Sequence, residues 1–159
     1  MPPTLTHSSR WIWIPTLLAV ATLSAASPAS EKFVGSWKLI SFERTSRAGE
    51  VSYPLGRDAV GRITYDAAGR MSVQIMQPNR PKEGALQMFA AHGGYLAYFG
   101  SYTVDESRGV VIHNVEASLF PDYIGTAQER HYTFTGNRLM LTADAPQSGH
   151  SKLIWERIP

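Results

Sequence analysis

Hydrophobic and polar positions alternate along much of the chain after residue 33, which is the pattern of half-buried β-strands. The segment 70–77 is the clearest case, because Met71, Val73 and Ile75 share one face and polar residues share the other. Clusters of Gly, Pro, Asn and Asp separate such segments and predict turns. The predicted strands are 33–44, 60–65, 70–77, 99–105, 110–120, 128–135, 138–143 and 151–157.

One segment departs from this alternation. Residues 83–92 carry apolar side chains at helical spacing, and Gly93-Gly94 end the pattern. The sequence therefore predicts one short lid helix in the loop between the third and fourth strands. Residues 95–98 are compatible with a further helical turn.

The short connections between successive strands predict an up-and-down meander, and eight strands can close without leaving a free edge. The predicted fold class is all-β: an eight-stranded up-and-down antiparallel barrel with the lid helix as its one insertion. A closed barrel of this size has room for one small ligand.

The first thirty residues have a different composition. Arg10 is followed by an uncharged stretch that starts with an apolar block at 11–20 and ends in small residues. A basic start, an apolar middle and a small-residue end predict a secretory signal peptide over residues 1–29, cleaved after Ala26 or Ala29.

An uncleaved membrane anchor is the alternative to a signal peptide. The apolar block is shorter than the roughly 20 residues that span a bilayer, and Pro15 interrupts it. We therefore expect a periplasmic or secreted protein without a membrane span in its mature form, with residues 30–159 as the barrel domain.

Composition excludes several classes of site. The chain has no cysteine, which excludes a lipid-modified cysteine, disulfides and thiolate metal sites. Lysine plus arginine number 15 against 13 acidic residues, and without Arg10 the balance is 14 to 13. Because no basic run is present either, we expect no nucleic acid partner.

Two segments at the ends of the barrel domain predict a structural pair. Gly35 and Trp37 open the first strand and Arg157 closes the last. In a closed barrel these strands are neighbours, so the guanidinium can stack on the indole at the barrel floor.

Longer segments carry a family resemblance: VGSWKLISFE (34–43), YPLG (53–56), MSVQ (71–74), YLAYFGSY (95–102), HNVEASLFP (113–121) and WER (155–157). With them, the chain from about residue 33 to 157 resembles the lipocalin-like domain family, the calycin-type proteins of bacteria and fungi. The resemblance implies an eight-stranded barrel with a central pocket. It implies no defined activity, because a fold does not fix a function.

His113 and Glu116 are the most suggestive polar pair. Their spacing of three places them on opposite faces of a regular strand, so they converge only if a bulge lies between them. His113 shares its face with apolar residues and is interpreted as a hydrogen-bonded core or pocket histidine, with a catalytic base as the alternative. Glu116 is expected to pair with Arg130 of the neighbouring strand.

The expected ligand contacts combine this strand with tyrosines at the rim, Gln74 on the third strand and an apolar cover from the lid helix. The candidates are Tyr65, Gln74, Met88, Phe89, Tyr98, Tyr102, His113, Glu116, Arg130 and Tyr132.

Metal and cofactor sites lack a sequence signature. The histidines after the leader, at 92, 113, 131 and 150, do not form a ligand-spaced pair. We expect no metal and no cofactor, with a haem held by a single histidine as the remaining alternative.

The leading functional hypothesis is an exported protein, a monomer or dimer, that binds a small apolar or amphipathic molecule. The first alternative is a cofactor-independent isomerase or cyclase that uses His113 or Glu116 as acid or base. The second is a barrel filled by its own side chains that serves as an interaction module.

Overall fold

The computed structural model describes residues 28–80, 93–145 and 149–159. None of the helices in these ranges is long and apolar enough to cross a bilayer. The elements are helix α1 (Pro28–Phe33), strands β1 (Gly35–Thr45), β2 (Val51–Ser52), β3 (Val60–Tyr65), β4 (Arg70–Met76), β5 (Tyr95–Asp105) and β6 (Val110–Ser118), a 3-10 turn (Pro121–Tyr123), and strands β7 (Ala127–Thr135), β8 (Arg138–Ala145) and β9 (Gly149–Arg157).

The strands form a closed antiparallel barrel. Strand β1 pairs with β3, each later strand pairs with the next, and β9 pairs back onto β1. Strand β2 pairs only with the end of β1 and lies outside the barrel. The predicted eight-stranded up-and-down barrel is therefore confirmed, with β1 and β3 to β9 as its staves.

Two of the following features differ from the prediction, and one predicted element cannot be compared with the structure. Strand β5 begins at Tyr95, so the further helical turn at 95–98 is wrong: these residues pair with β4 from Met76 to Val73. The predicted lid helix at 83–92 lies outside the described residues. Helix α1 was not predicted; it begins with Pro28, whose fixed backbone angle suits the first turn of a helix.

Alternation decides which side chains face the interior. In β4 the side chains of Met71, Val73 and Ile75 are buried, while those between them are partly exposed. Strand β7 alternates in the same way, with Arg130 and Tyr132 on its more buried face. The inward side chains of all staves form one continuous core.

Helix α1 plugs one end of the barrel. Phe33 is fully buried, and its ring centroid lies 5.0–5.1 Å from those of Tyr65, Tyr132 and Phe134 in edge-on contacts. The indole nitrogen of Trp37 donates to the Phe33 carbonyl over 2.8 Å. We call this the plugged end, and the opposite end of the staves the cavity end.

Arg157 ties the last strand to α1. Its guanidinium carbon lies 4.1 Å from the Trp37 ring centroid, which is the stack expected from the sequence. The same guanidinium donates to the carbonyls of Lys32 and Val34. Gly35 makes room for it: its φ is +131°, and a Cβ there would lie 2.7 Å from the guanidinium.

Candidate functional site

The barrel encloses a cavity of about 80 Å³ toward its cavity end. For comparison, a cavity of roughly 150 Å³ holds a benzene molecule. Seven of the twelve described side chains that line the barrel cavity are apolar: Phe42, Ile63, Val73, Ile75, Leu96, Leu153 and Trp155. The enclosed space therefore suits a head group or part of a ring rather than a whole large ligand.

The polar part of the wall is rich in hydrogen-bond donors and positive charge. It consists of Arg44, Tyr98, Tyr123, Arg130 and Ser151. Two of these five side chains are guanidiniums, which can only donate. Among the described residues that line the cavity, none is a carboxylate.

Arg130 reaches this wall from β7. Its two terminal nitrogens donate to the Glu129 carbonyl, at 2.9 Å, and to Oε1 of Gln128, at 3.4 Å. Within the described ranges, the ion pairs join other residues, so its charge has no carboxylate partner there. A half-buried guanidinium in this position favours a negative or electron-rich group beside it.

His113 lies at the centre of the barrel between two phenols. Its Nε2 lies 2.8 Å from the Tyr65 hydroxyl and its Nδ1 lies 2.8 Å from the Tyr98 hydroxyl. Both ring nitrogens are thus occupied. Because a neutral imidazole has one donor and one acceptor, one phenol donates to the ring and the other accepts from it.

Burial keeps all three of these groups neutral. Desolvation, helped by the charge of Arg130, lowers the pKa of His113 to about 3. Desolvation also raises the pKa of Tyr65 and of Tyr98, and it outweighs the lowering effect of Arg130 on both phenols. At neutral pH the cluster is an uncharged hydrogen-bond chain that ends at the cavity wall.

Trp155 contributes an unusual group to the cavity wall. Its side chain is only 1% exposed, and its indole nitrogen has no hydrogen-bond partner among the described residues. A buried donor without a partner costs about 1–3 kcal/mol. Trp37, the other buried tryptophan of the described core, has its indole nitrogen satisfied by Phe33.

The outer surface carries two larger but shallow depressions. One of about 370 Å³ lies across β3 to β6 and includes Thr64, Arg70 and Phe99. The other, of about 320 Å³, lies beside Phe99 and Leu119. Both are open to water, so they lack the desolvation that strengthens polar contacts with a small ligand.

The family model described as the lipocalin-like domain matches residues 34–158 of the chain. The chain belongs to this family. The resemblance found in the sequence segments is therefore confirmed, and the barrel described above is its lipocalin-like domain.

Individual relatives of this lipocalin-like chain add detail. The 4'-hydroxy-3'-methoxypropiophenone carrier protein ppsC of Aspergillus oryzae is 35% identical over 108 residues, covering 56% of this chain and 97% of the relative. A redesigned β-barrel aligns with a TM-score of 0.44 at 10% identity, over 82% of this chain and 96% of its own. Fatty-acid-binding protein 1 of Echinococcus granulosus aligns with a TM-score of 0.43 at 15% identity, over 81% and 99%. The two structural likenesses are weak and bear on neither ligand nor activity.

The structure describes eight of the ten predicted ligand contacts of the lipocalin-like domain and separates them into four groups. Tyr98 and Arg130 line the cavity, and His113 with Tyr65 forms the chain behind them. Tyr102 and Tyr132 point into the core near the plugged end, where Tyr102 donates to the Asp66 carbonyl over 3.0 Å. Gln74 and Glu116 lie outside the barrel, and Met88 and Phe89 lie outside the described residues.

Glu116 requires a correction. The strand is regular from His113 to Val115, so the bulge that would bring the two side chains together does not form; the register shifts only between Val115 and Ala117 on β6. Glu116 is the extra residue of the bulge at that shift, and its side chain is exposed on the outer surface. In the described part of the chain it forms no ion pair with Arg130, which faces inward from β7.

Gln74 is also misplaced by the prediction. It pairs with Ala97 on the outward face of β4 and borders an outer depression. The period of two along this strand already places it opposite to Val73 and Ile75, which do line the cavity. Applying that alternation would have excluded Gln74 and found both apolar neighbours.

Sequence reasoning missed most of the cavity wall. Arg44 and Ser151 face each other across the β1–β9 pair, a contact that depends on barrel closure and register. Tyr123 comes from the 3-10 turn and packs on Tyr98 with ring centroids 6.1 Å apart. Like Val73 and Ile75, Trp155 carried a usable signal, since it belongs to a family-like segment and shares a strand face with Leu153.

The described residues do not assemble a metal centre. No group of three His, Cys, Asp or Glu side chains in these ranges is placed to hold an ion. His113 is buried with both nitrogens engaged, and His150 pairs at 2.7 Å with Asp144 near the cavity end.

Proposed function

We propose that this protein is a carrier that binds a small, largely apolar molecule with one polar end. The observation that carries the proposal is the cavity wall: seven apolar side chains share it with two guanidiniums, those of Arg44 and Arg130, that have no carboxylate partner in the described ranges. Such a wall holds an apolar body by desolvation and fixes its direction through one polar contact.

The curated relative supports this class of ligand. Its name states that it carries 4'-hydroxy-3'-methoxypropiophenone, a small aromatic ketone with a phenol at the other end of the ring. An aromatic molecule of this kind combines a flat apolar body with isolated polar groups. Because the enclosed space is about 80 Å³, the polar end enters it and the remainder extends toward the cavity end.

The geometry gives the isomerase or cyclase alternative little support. A general base needs a free lone pair and a pKa near the working pH. His113 has both nitrogens engaged and a pKa of about 3, and Glu116 lies on the outer surface. The other alternative, a barrel filled by its own side chains that serves as an interaction module, fits the plugged end but not the cavity end.

The proposal is tested by binding to a barrel whose cavity has been filled. Native mass spectrometry of the purified protein is expected to show a co-purified small molecule. Added 4'-hydroxy-3'-methoxypropiophenone is expected to bind the wild type, and Val73→Phe is expected to weaken that binding at least about tenfold, because the larger ring occupies the cavity.

Val60→Phe is the matched control, since Val60 is 47% exposed outside the cavity. It is expected to bind as the wild type does, and circular dichroism checks that both variants fold. Equal affinity in the wild type and Val73→Phe would place any bound ligand elsewhere and refute the carrier proposal.

We also propose that the protein is exported. The support is the leader pattern of residues 1–29, of which residues 1–27 lie outside the described ranges. Cleavage after Ala26 leaves all of α1 in place, whereas cleavage after Ala29 removes its first two residues. Intact-mass measurement of protein recovered from the periplasm or the medium tests export and identifies the site; recovery of the full-length chain from the cytoplasm alone would contradict it.

A further inference from the structure

The indole nitrogen of Trp155 distinguishes the cavity from the rest of the core. Two buried side-chain polar atoms in the described ranges lack a partner, and the other one, Ser41 Oγ, belongs to a residue that does not line the cavity. Buried donors in native proteins are almost always paired, so an orphan on a cavity wall points to a partner that arrives with the ligand.

The polar groups around Trp155 narrow the chemistry of that partner. Arg44, Arg130 and the indole of Trp155 can only donate hydrogen bonds, and the first two are positively charged. The hydroxyls of Tyr98, Tyr123 and Ser151 can act in either sense. An ammonium group would meet like charge here, whereas a carbonyl or carboxylate oxygen meets donors.

We infer that the polar end of the ligand is a hydrogen-bond acceptor, a carbonyl or carboxylate oxygen, and that the Trp155 indole N–H and the Arg130 guanidinium receive it. The inference rests on the carrier function proposed above and specifies its ligand class. It makes Trp155 a specificity-determining residue rather than only a packing residue of β9.

The test compares acetophenone with ethylbenzene, which share a ring and a two-carbon chain and differ by the carbonyl oxygen. The full chain is labelled with ¹⁵N at its four tryptophans, and Trp155→Phe assigns the Trp155 indole signal. Acetophenone is expected to move that indole proton downfield and to leave the Trp37 signal in place, because Trp37 already donates to Phe33. Ethylbenzene is expected to bind at least about fivefold more weakly, without the downfield shift.

Trp155→Phe keeps an aromatic ring on the wall but removes the donor together with part of the indole volume. Because the lost volume affects both probes alike, the variant is expected to weaken acetophenone binding roughly 3- to 10-fold more than it changes ethylbenzene binding. A second pair, 3-phenylpropanoate and 3-phenylpropylamine, tests the charge: only the acid is expected to bind. Should Trp155→Phe fail to fold, the wild-type shifts and the two probe pairs still decide the matter.

Failure of the inference and failure of the carrier function give different results. Equal affinity for acetophenone and ethylbenzene with no Trp155 shift, or tighter binding of the amine than of the acid, overturns the inference and leaves a carrier. Binding of none of the four probes overturns the carrier function and the inference with it.

Discussion

His113 connects the buried core to the cavity wall through two hydrogen bonds. Its ring joins Tyr65, deep in the core, to Tyr98 on the cavity wall. Exchanging the proton between the two ring nitrogens reverses both hydrogen bonds and decides whether Tyr98 donates to the ring or is free to donate into the cavity. The cavity wall can therefore adjust one hydroxyl to a ligand without moving a heavy atom.

The buried imidazole predicts a specific loss of stability in acid. The pKa of His113 is about 6.5 unfolded and about 3 folded, so between these values only the unfolded chain takes up this proton. Its contribution to the free energy of unfolding is fully present above pH 6.5 and falls as the pH drops toward 3, by about 3 kcal/mol between pH 7 and pH 4.

Urea denaturation at several pH values measures this loss in the wild type and in His113→Gln. The pH dependence is expected to be smaller in the variant by about that amount, while His131→Gln, at an exposed position, keeps the wild-type dependence. The same slope in His113→Gln and the wild type would show that the imidazole is not buried neutral.

At the scale of elements, the bulge in β6 sets the register between β5 and β6 at Tyr98 and leaves Glu116 out of the pairing. It shifts the register by one residue, so Tyr98 pairs with Ser118, while Glu116 has no partner on β5 and is exposed. Gly100 permits the close approach of the two strands, because a Cβ there would overlap the carbonyl oxygen of Asn114.

Gly100→Ala is therefore expected to destabilise the barrel by roughly 1–3 kcal/mol, since the added methyl group meets backbone that cannot move aside. Thermal unfolding measures the effect. Gly93→Ala is the control, as a Cβ there meets nothing within 4 Å. Equal melting temperatures for both variants would mean that the bulge relaxes freely.

The sequence predicts elements better than it predicts the site. Alternation along a strand such as β4 depends on neighbouring residues alone, so the eight staves and their order were accessible. The position of Glu116 depends on a bulge, and the contact of Arg44 with the cavity depends on a register between the first and last strands. Both are set by distant parts of the chain, which local patterns do not encode.

At the scale of the whole barrel, the plugged end and the cavity end differ in how their interiors are filled. The aromatic rings around Phe33 occupy the plugged end, while the cavity lies beyond Tyr98 and Trp155. The aromatic packing around Phe33 thus lies at one end of the barrel and the proposed ligand site at the other. Stability and ligand binding are expected to respond to different substitutions.

Phe33→Ala tests this division. Loss of a fully buried ring is expected to cost about 3–5 kcal/mol and to lower the melting temperature by roughly 10 °C or more. Affinity for 4'-hydroxy-3'-methoxypropiophenone, measured well below melting, is expected to stay within about twofold of the wild type.

Phe99→Ala removes the same atoms from a side chain that is 52% exposed, and it is expected to change the melting temperature little. A Phe33→Ala protein that melts normally, or one that stays folded but no longer binds, would contradict the separation of the two ends.

The pairing of β1 with β9 governs when this chain can acquire its native form. Trp37 and Arg157 are partners in that ladder, and they lie near opposite ends of the barrel domain. During synthesis the first stave must wait for the last to leave the ribosome, so the cylinder cannot seal around a half-made chain. Until then the nascent chain lacks the β1–β9 pairing, and quality-control factors can engage it throughout that interval.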